Sequence, residues 1–235
     1  MNSVRSDQVS RPASARAVRP SAAKHLFFAA FGVMGLFVLW NNERFFLNPQ
    51  APEWAHYNPI RWHLIPHGLG GATALVFGAV QFSTRVRRRY LRIHRVSGKL
   101  YLAGTLVAAP VAIWMAFINS PWFLTTFTIV QGVTWVLFTV VAYRAIRRGA
   151  VGTHREWMMR SYAVALIFIE GRVLMAVPAL AERGLDAVVL VNWACFAVTL
   201  IVVECLLRWR EIVPGEMARP PGPRARWYPA RARRG

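Results

Sequence analysis

Six apolar runs dominate the chain, at residues 25–40, 63–83, 99–118, 122–143, 156–178 and 187–207, with short polar bursts between them. Each comes close to the roughly 20 residues that cross a hydrocarbon core as a helix. Open strands are excluded at that depth, because unpaired backbone groups would have no water to bond. The pattern predicts an all-α integral membrane bundle of six transmembrane helices over residues 24–210. Residues 1–23 and 211–235 lack apolar periodicity, are rich in Arg with Ser, Ala or Pro, and read as disordered tails. The first run follows basic residues, as a signal peptide does. No small-x-small cleavage pattern comes after it, so an uncleaved helix is expected. Pro66 is expected in the first turn of the second helix, where it is harmless, and Pro110 is expected to kink the third.

Charge turns the list of spans into an orientation. The chain of 235 residues is 55% apolar and 17% charged, yet its net charge is +19, from 29 Lys and Arg against 10 Asp and Glu. Such a balance can signal nucleic acid, but these charges come in bursts between apolar runs, as membrane proteins carry them. All but four of the basic residues fall on alternate sides of the six-helix arrangement; the exceptions are Arg44, Arg61, Arg172 and Arg183. The positive-inside rule then predicts N-in and C-in topology in the inner (plasma) membrane. Anionic headgroups at the cytoplasmic face are the expected partners, nucleic acid is not, and a homo-oligomer is compatible with the sequence. Tryptophans 40, 54, 62, 122, 157 and 209 fall near run ends, as an interfacial belt requires. Cys195 and Cys205 share one run about 15 Å apart along a helix, too far to bridge.

Two polar loops resemble each other. Each outgoing helix ends in arginines, and a His-Arg pair (His94-Arg95, then His154-Arg155) opens the returning one, followed by a basic residue and a tyrosine (Lys99 and Tyr101; Arg160 and Tyr162). Helices two-three and four-five thus read as possible duplicated hairpins related by an axis along the membrane normal. His94 and His154 would then occupy equivalent positions on two helices at one membrane level. A b-type haem or a metal held by this pair is one reading, and helix starts that bind headgroups or loop carbonyls are the plainer one.

Glu170 and Arg172 are the most expensive residues, each costing roughly 2.5–3.5 kcal/mol near a bilayer centre unless paired or hydrated. They project to nearly opposite sides and cannot pair with each other. With His67 on helix two and Gln131 on helix four, they predict an outward-side polar pocket of His67, Gln131, Glu170 and Arg172 for ligand binding or a proton relay. A buried network that fixes helix register is the competing structural explanation. Glu204 is expected to pair with loop arginines. Walker, Rossmann, HExxH and GxSxG signatures do not occur in the sequence.

The run His67-Gly68, Gly78-Ala79-Val80-Gln81-Phe82, then His94-Arg95-x-x-Gly98-Lys99-x-Tyr101, and His154-Arg155 with Arg160-Ser161 resembles a bacterial family of predicted multi-pass membrane proteins carrying a domain of unknown function. The resemblance covers about residues 25–210 and implies fold and location, without an activity or ligand. Two functional classes follow from the residues themselves. One is a membrane-embedded small-ligand or ion binding or transport module using the outward pocket. The other is a redox protein with haem or metal on His94 and His154.

Overall fold

The computed structural model describes residues 22–212. The tails expected at residues 1–23 and 211–235 therefore lie almost wholly outside the described residues. Six long helices organise the chain: α1 (Ala22–Val38), α2 (Arg61–Gln81), α3 (Leu91–Asn119), α4 (Trp122–Arg147), α5 (Val151–Met175) and α6 (Leu185–Ile212). Beyond α1 the helix loosens into a single π-helical turn, Leu39–Glu43, and a 3-10 turn, Arg44–Leu47. A six-residue helix, Thr84–Arg89, joins α2 to α3, with Ser83 as its N-cap: the Ser83 Oγ accepts from Val86 N at 3.3 Å.

Among the described residues, five helical segments are long and apolar enough to cross a membrane: His25–Leu47, Glu53–Gln81, Leu91–Asn119, Trp122–Arg147 and Leu185–Trp209. α5 has the length, 25 residues, but carries Arg155, Glu156, Arg160, Glu170 and Arg172. It is instead the interior helix. Nine of the eleven residues from Ser161 to Gly171, all but Phe168 and Glu170, form an almost unbroken buried stretch, joined by Met158 and Arg160. Neighbours α1, α2, α4 and α6 all pack on it, while α3 lies against α2 and α4. The outer surface is apolar, with Leu26, Leu36, Trp62, Leu69, Trp122 and Ile201 all exposed. An exposed surface of that kind suits lipid rather than water.

Small residues set the closest contact. A Cβ on Gly104 would stand 2.6 Å from the Gly70 carbonyl oxygen and 3.0 Å from Ala74 N. α2 and α3 therefore cross with backbones touching, along the small-residue stripe Gly70, Ala74 and Gly104, Ala108. The α4–α5 turn uses glycine differently. Gly149 has φ +75°, Gly149 N bonds Ile146 O, and Ala150 N bonds Ala145 O, which together make a Schellman cap.

Pro66 and the helix starts depart from expectation. α2 begins at Arg61, after the turn Asn58–Ile60, so Pro66 sits inside the helix and frees the Trp62 carbonyl. α3 begins at Leu91 rather than near 99, because helix continues past the hydrocarbon where charged residues are solvated. Pro110 lies within that unbroken helical run. At 29 residues α3 is about 44 Å long, well over the roughly 30 Å of a hydrocarbon core.

Candidate functional site

Polar side chains gather at three levels of the bundle. The middle level is a closed hydrogen-bond circuit. Trp135 Nε1 donates to Tyr101 Oη at 3.0 Å, Tyr101 Oη and Ser161 Oγ are 2.6 Å apart, Ser161 Oγ and Thr139 Oγ1 are 2.6 Å apart, and Thr139 Oγ1 donates to Trp135 O at 2.8 Å. Each hydroxyl has one proton, and a carbonyl only accepts. Thr139 must therefore accept from Ser161, and Ser161 from Tyr101. The proton order is fixed from the indole to the carbonyl, and the chain ends there. Tyr101, Thr139 and Ser161 are all nearly devoid of solvent exposure, so the circuit locks α3, α4 and α5 in register. Beside it, Tyr162 Oη donates to Leu75 O at 3.0 Å.

The second level lies where α1 ends and α2 begins. Arg172 Nη1 stands 3.8 Å from Glu43 Oε1, with the two side chains 39% and 21% exposed. Its guanidinium also lies 5.2 Å over the Phe168 ring, and its charge reaches His67. His67 Nδ1 donates to Ala108 O at 2.9 Å, which leaves Nε2 with the lone pair. Two further side-chain atoms at this end are buried without a hydrogen-bond partner, Asn42 Oδ1 and His63 Nδ1. Of the residues expected in a pocket, His67 and Arg172 lie at this end within electrostatic reach of each other. Gln131 instead reaches the α5 backbone, Nε2 to Val164 O at 3.5 Å. Glu170 turns to α6, where Thr199 Oγ1 donates to its Oε2 at 2.6 Å. Sequence reasoning missed Glu43 as the partner of Arg172. The available signal was the polar burst Asn41-Asn42-Glu43-Arg44 at the end of the first apolar run.

The third level is at the opposite end. His94 and His154 are each the fourth residue of their helix, and their backbone N–H groups bond Tyr90 O and Ala150 O, the residues just before each helix. Seven residues on, Tyr101 and Ser161 are again equivalent positions, and these are the pair that meets in the central circuit. His154 Nδ1 donates to Ala142 O at 2.9 Å. His94 Nδ1 is buried with no partner, although its carbonyl accepts from Gln81 Nε2 at 3.0 Å. The charges of Arg87 and His154 bear on His94, and Arg155 stands close enough to bear on Arg87.

These residues do not fit a resident metal. Two imidazoles stand among arginines, which repel a cation, and no group of three or more His, Cys, Asp or Glu that could share a metal ion occurs among the described residues. A b-type haem fits only on one side. A ligating histidine almost always donates its second ring N–H to an acceptor; His154 does so and His94 does not.

Arg160 is the remaining buried charge. Its Nη2 donates to Glu204 Oε2 at 3.0 Å and its Nε to Oε1, its Nη1 lies 3.7 Å from Glu156, and Trp157 stacks 4.9 Å beneath it. The partner of Glu204 is thus a residue within α5 rather than a loop arginine. Cys195 and Cys205 are both free thiols.

Apolar outer surfaces, spans of membrane length and internally paired polar groups define an integral membrane protein of the all-helical class. More particularly, the chain belongs to the family described as "Predicted membrane protein (DUF2306)", whose profile matches residues 64–207. That match takes in α3, α4, α5 and most of α2 and α6. No curated protein and no solved structure matches the chain.

Proposed function

We propose that this is a six-span inner-membrane protein with both termini in the cytoplasm, which binds a small polar ligand at the outward end where α1, α2 and α5 meet. α5 counts as the sixth span because Arg160, Glu170 and Arg172 each meet a polar partner from another segment (Glu204, Thr199 and Glu43), so its polarity is no barrier to a central position. The distribution of Lys and Arg supports the orientation. The equivalent places of His94 with His154, and of Tyr101 with Ser161, support duplicated hairpins α2–α3 and α4–α5.

The observation that carries the ligand reading is the loose Arg172–Glu43 pair beside two buried, unpartnered polar atoms. At 3.8 Å the pair leaves most of the guanidinium donors and one carboxylate oxygen for another molecule. Donors (Arg172) and acceptors (Glu43, Asn42 Oδ1, His67 Nε2) are both present. A ligand with both an anionic and a cationic or donor group, the size of a small amino acid, matches that set. His67, Arg172 and Glu43 are its contacts in this proposal, with Gln131 and Glu170 outside it. Transport would require the same site to open to the other side, and binding is the step the residues support.

The test is thermal unfolding of the purified full chain in mild detergent with glycine, acetate or ethylamine added. Glycine is expected to raise the midpoint more than either half-molecule, and Arg172→Gln to abolish the difference. No response to any of the three, or an equal response in Arg172→Gln, contradicts the proposal.

A further inference from the structure

At the other end of the bundle the arrangement of charge is unlike a paired network. Arg87 comes from the short helix Thr84–Arg89, His94 from the first turn of α3, and His154 and Arg155 from the first turn of α5. The Tyr101–Ser161 bond seven residues further on holds these two helix starts as neighbours, and the basic groups lie within electrostatic reach of one another, Arg155 acting on Arg87, and Arg87 and His154 on His94. No carboxylate among the described residues lies within ion-pair distance of Arg87 or Arg155, whereas Arg160 and Arg172 each have a glutamate. Converging like charges are unfavourable in themselves. Burial, and then the charges of Arg155 and Arg88, pull the Arg87 pKa below the ordinary arginine value. His94 adds a buried ring nitrogen with nothing to bond. The first-turn N–H groups of α3 and α5 add partial positive charge at the same level. A bound anion would offset the like charges of Arg87 and Arg155 and give the first-turn N–H groups an acceptor.

We propose that Arg87, His94, His154 and Arg155 form a binding site for a phosphate group, carried by an anionic phospholipid headgroup or supplied as free phosphate. Phosphate suits the donors: guanidinium groups bond two of its oxygens in a fork, and a neutral imidazole N–H adds a further bond. A general attraction of basic loops to anionic membrane would need no convergence, since exposed Arg88, Arg89 and Arg95 already supply it. The site is independent of the outward ligand site. It relies on the topology only for which leaflet it faces.

Native mass spectrometry of the full chain in detergent tests this, with phosphatidylglycerol titrated in. Arg87→Gln with Arg155→Gln is expected to weaken lipid retention roughly tenfold, equivalent to about 1.4 kcal/mol. The control pair Arg89→Gln with Arg147→Gln removes the same net charge from exposed positions and should leave retention nearly unchanged. If the double variant fails to fold, Arg155→Gln alone, at an exposed position, should still weaken retention several-fold. Competition by millimolar inorganic phosphate assigns the site to the phosphate group itself, and failure to compete assigns it to the intact headgroup; both support the proposal. Equal weakening by the control pair would overturn it, since charge alone would then explain binding. A Soret band in the purified protein that is lost in His94→Ala and His154→Ala would also overturn it, by putting a haem where the anion should be.

Discussion

The two ends of the bundle hold basic residues in opposite ways. Where α1 gives way to α2, Arg172 is matched with Glu43 and lies within electrostatic reach of His67. Where α2 turns to α3 and α4 to α5, Arg87, His94, His154 and Arg155 converge with no acid among the described residues to balance them. The positive-inside rule explains why most arginines collect at one end, but not why these few meet. In the proposed orientation Arg172 lies at the end where the rule disfavours an arginine, and Glu43 gives it a local reason. A paired charge can be explained by the fold alone. A convergent unpaired set needs something outside the fold to balance it.

The sharpest way to break this contrast is to remove one arginine from each end. Arg172→Leu strands a largely shielded carboxylate, and unfolding in detergent should show a loss of about 2 kcal/mol, below the full penalty for a buried pair because both side chains retain some solvent. Arg155→Leu removes an exposed charge from a repulsive cluster and should change stability by no more than about 0.5 kcal/mol, in either direction. Comparable losses in the two variants would erase the distinction.

The central circuit divides the two ends, and a second variant asks whether it connects them. Tyr101→Phe leaves the Ser161 hydroxyl without its donor and the Trp135 indole without its acceptor. The expected loss is about 1–2 kcal/mol, with glycine response and phosphatidylglycerol retention both unchanged. A change in either binding readout would make the circuit part of a site rather than a fastening between helices.

The smallest effect is expected from Glu170→Gln. The amide oxygen can still accept from Thr199, so stability should shift by less than about 1 kcal/mol and the glycine response should persist. Loss of that response would return Glu170 to the ligand site.

Helices and their approximate spans were legible in the sequence because lipid demands long apolar runs, whatever the packing inside. Their ends were less so. α3 starts at Leu91 among arginines, where solvent rather than lipid surrounds the helix and hydropathy carries no signal. His67 and Arg172 could be brought together on paper because each lies on a regular helical face. Glu43 could not, since it ends a π-helical turn that departs from the 3.6-residue period. Glu170 falls in the expected pocket only through its nearness in sequence to Arg172. Two residues separate it from Arg172, and that rotation carries it to Thr199 on α6. The histidine repeat was visible as a motif, and its consequence seven residues later, the Tyr101–Ser161 bond, needed coordinates.

The orientation of the two ends is the claim on which the account most depends, and site-directed labelling tests it directly. In a chain carrying Cys195→Ala and Cys205→Ala, a single cysteine replaces Glu53 or Tyr90, and intact cells are treated with a membrane-impermeant maleimide. The account predicts rapid labelling at position 53 in intact cells and labelling at position 90 only after lysis. The reverse pattern would put the Arg172–Glu43 end in the cytoplasm and contradict it.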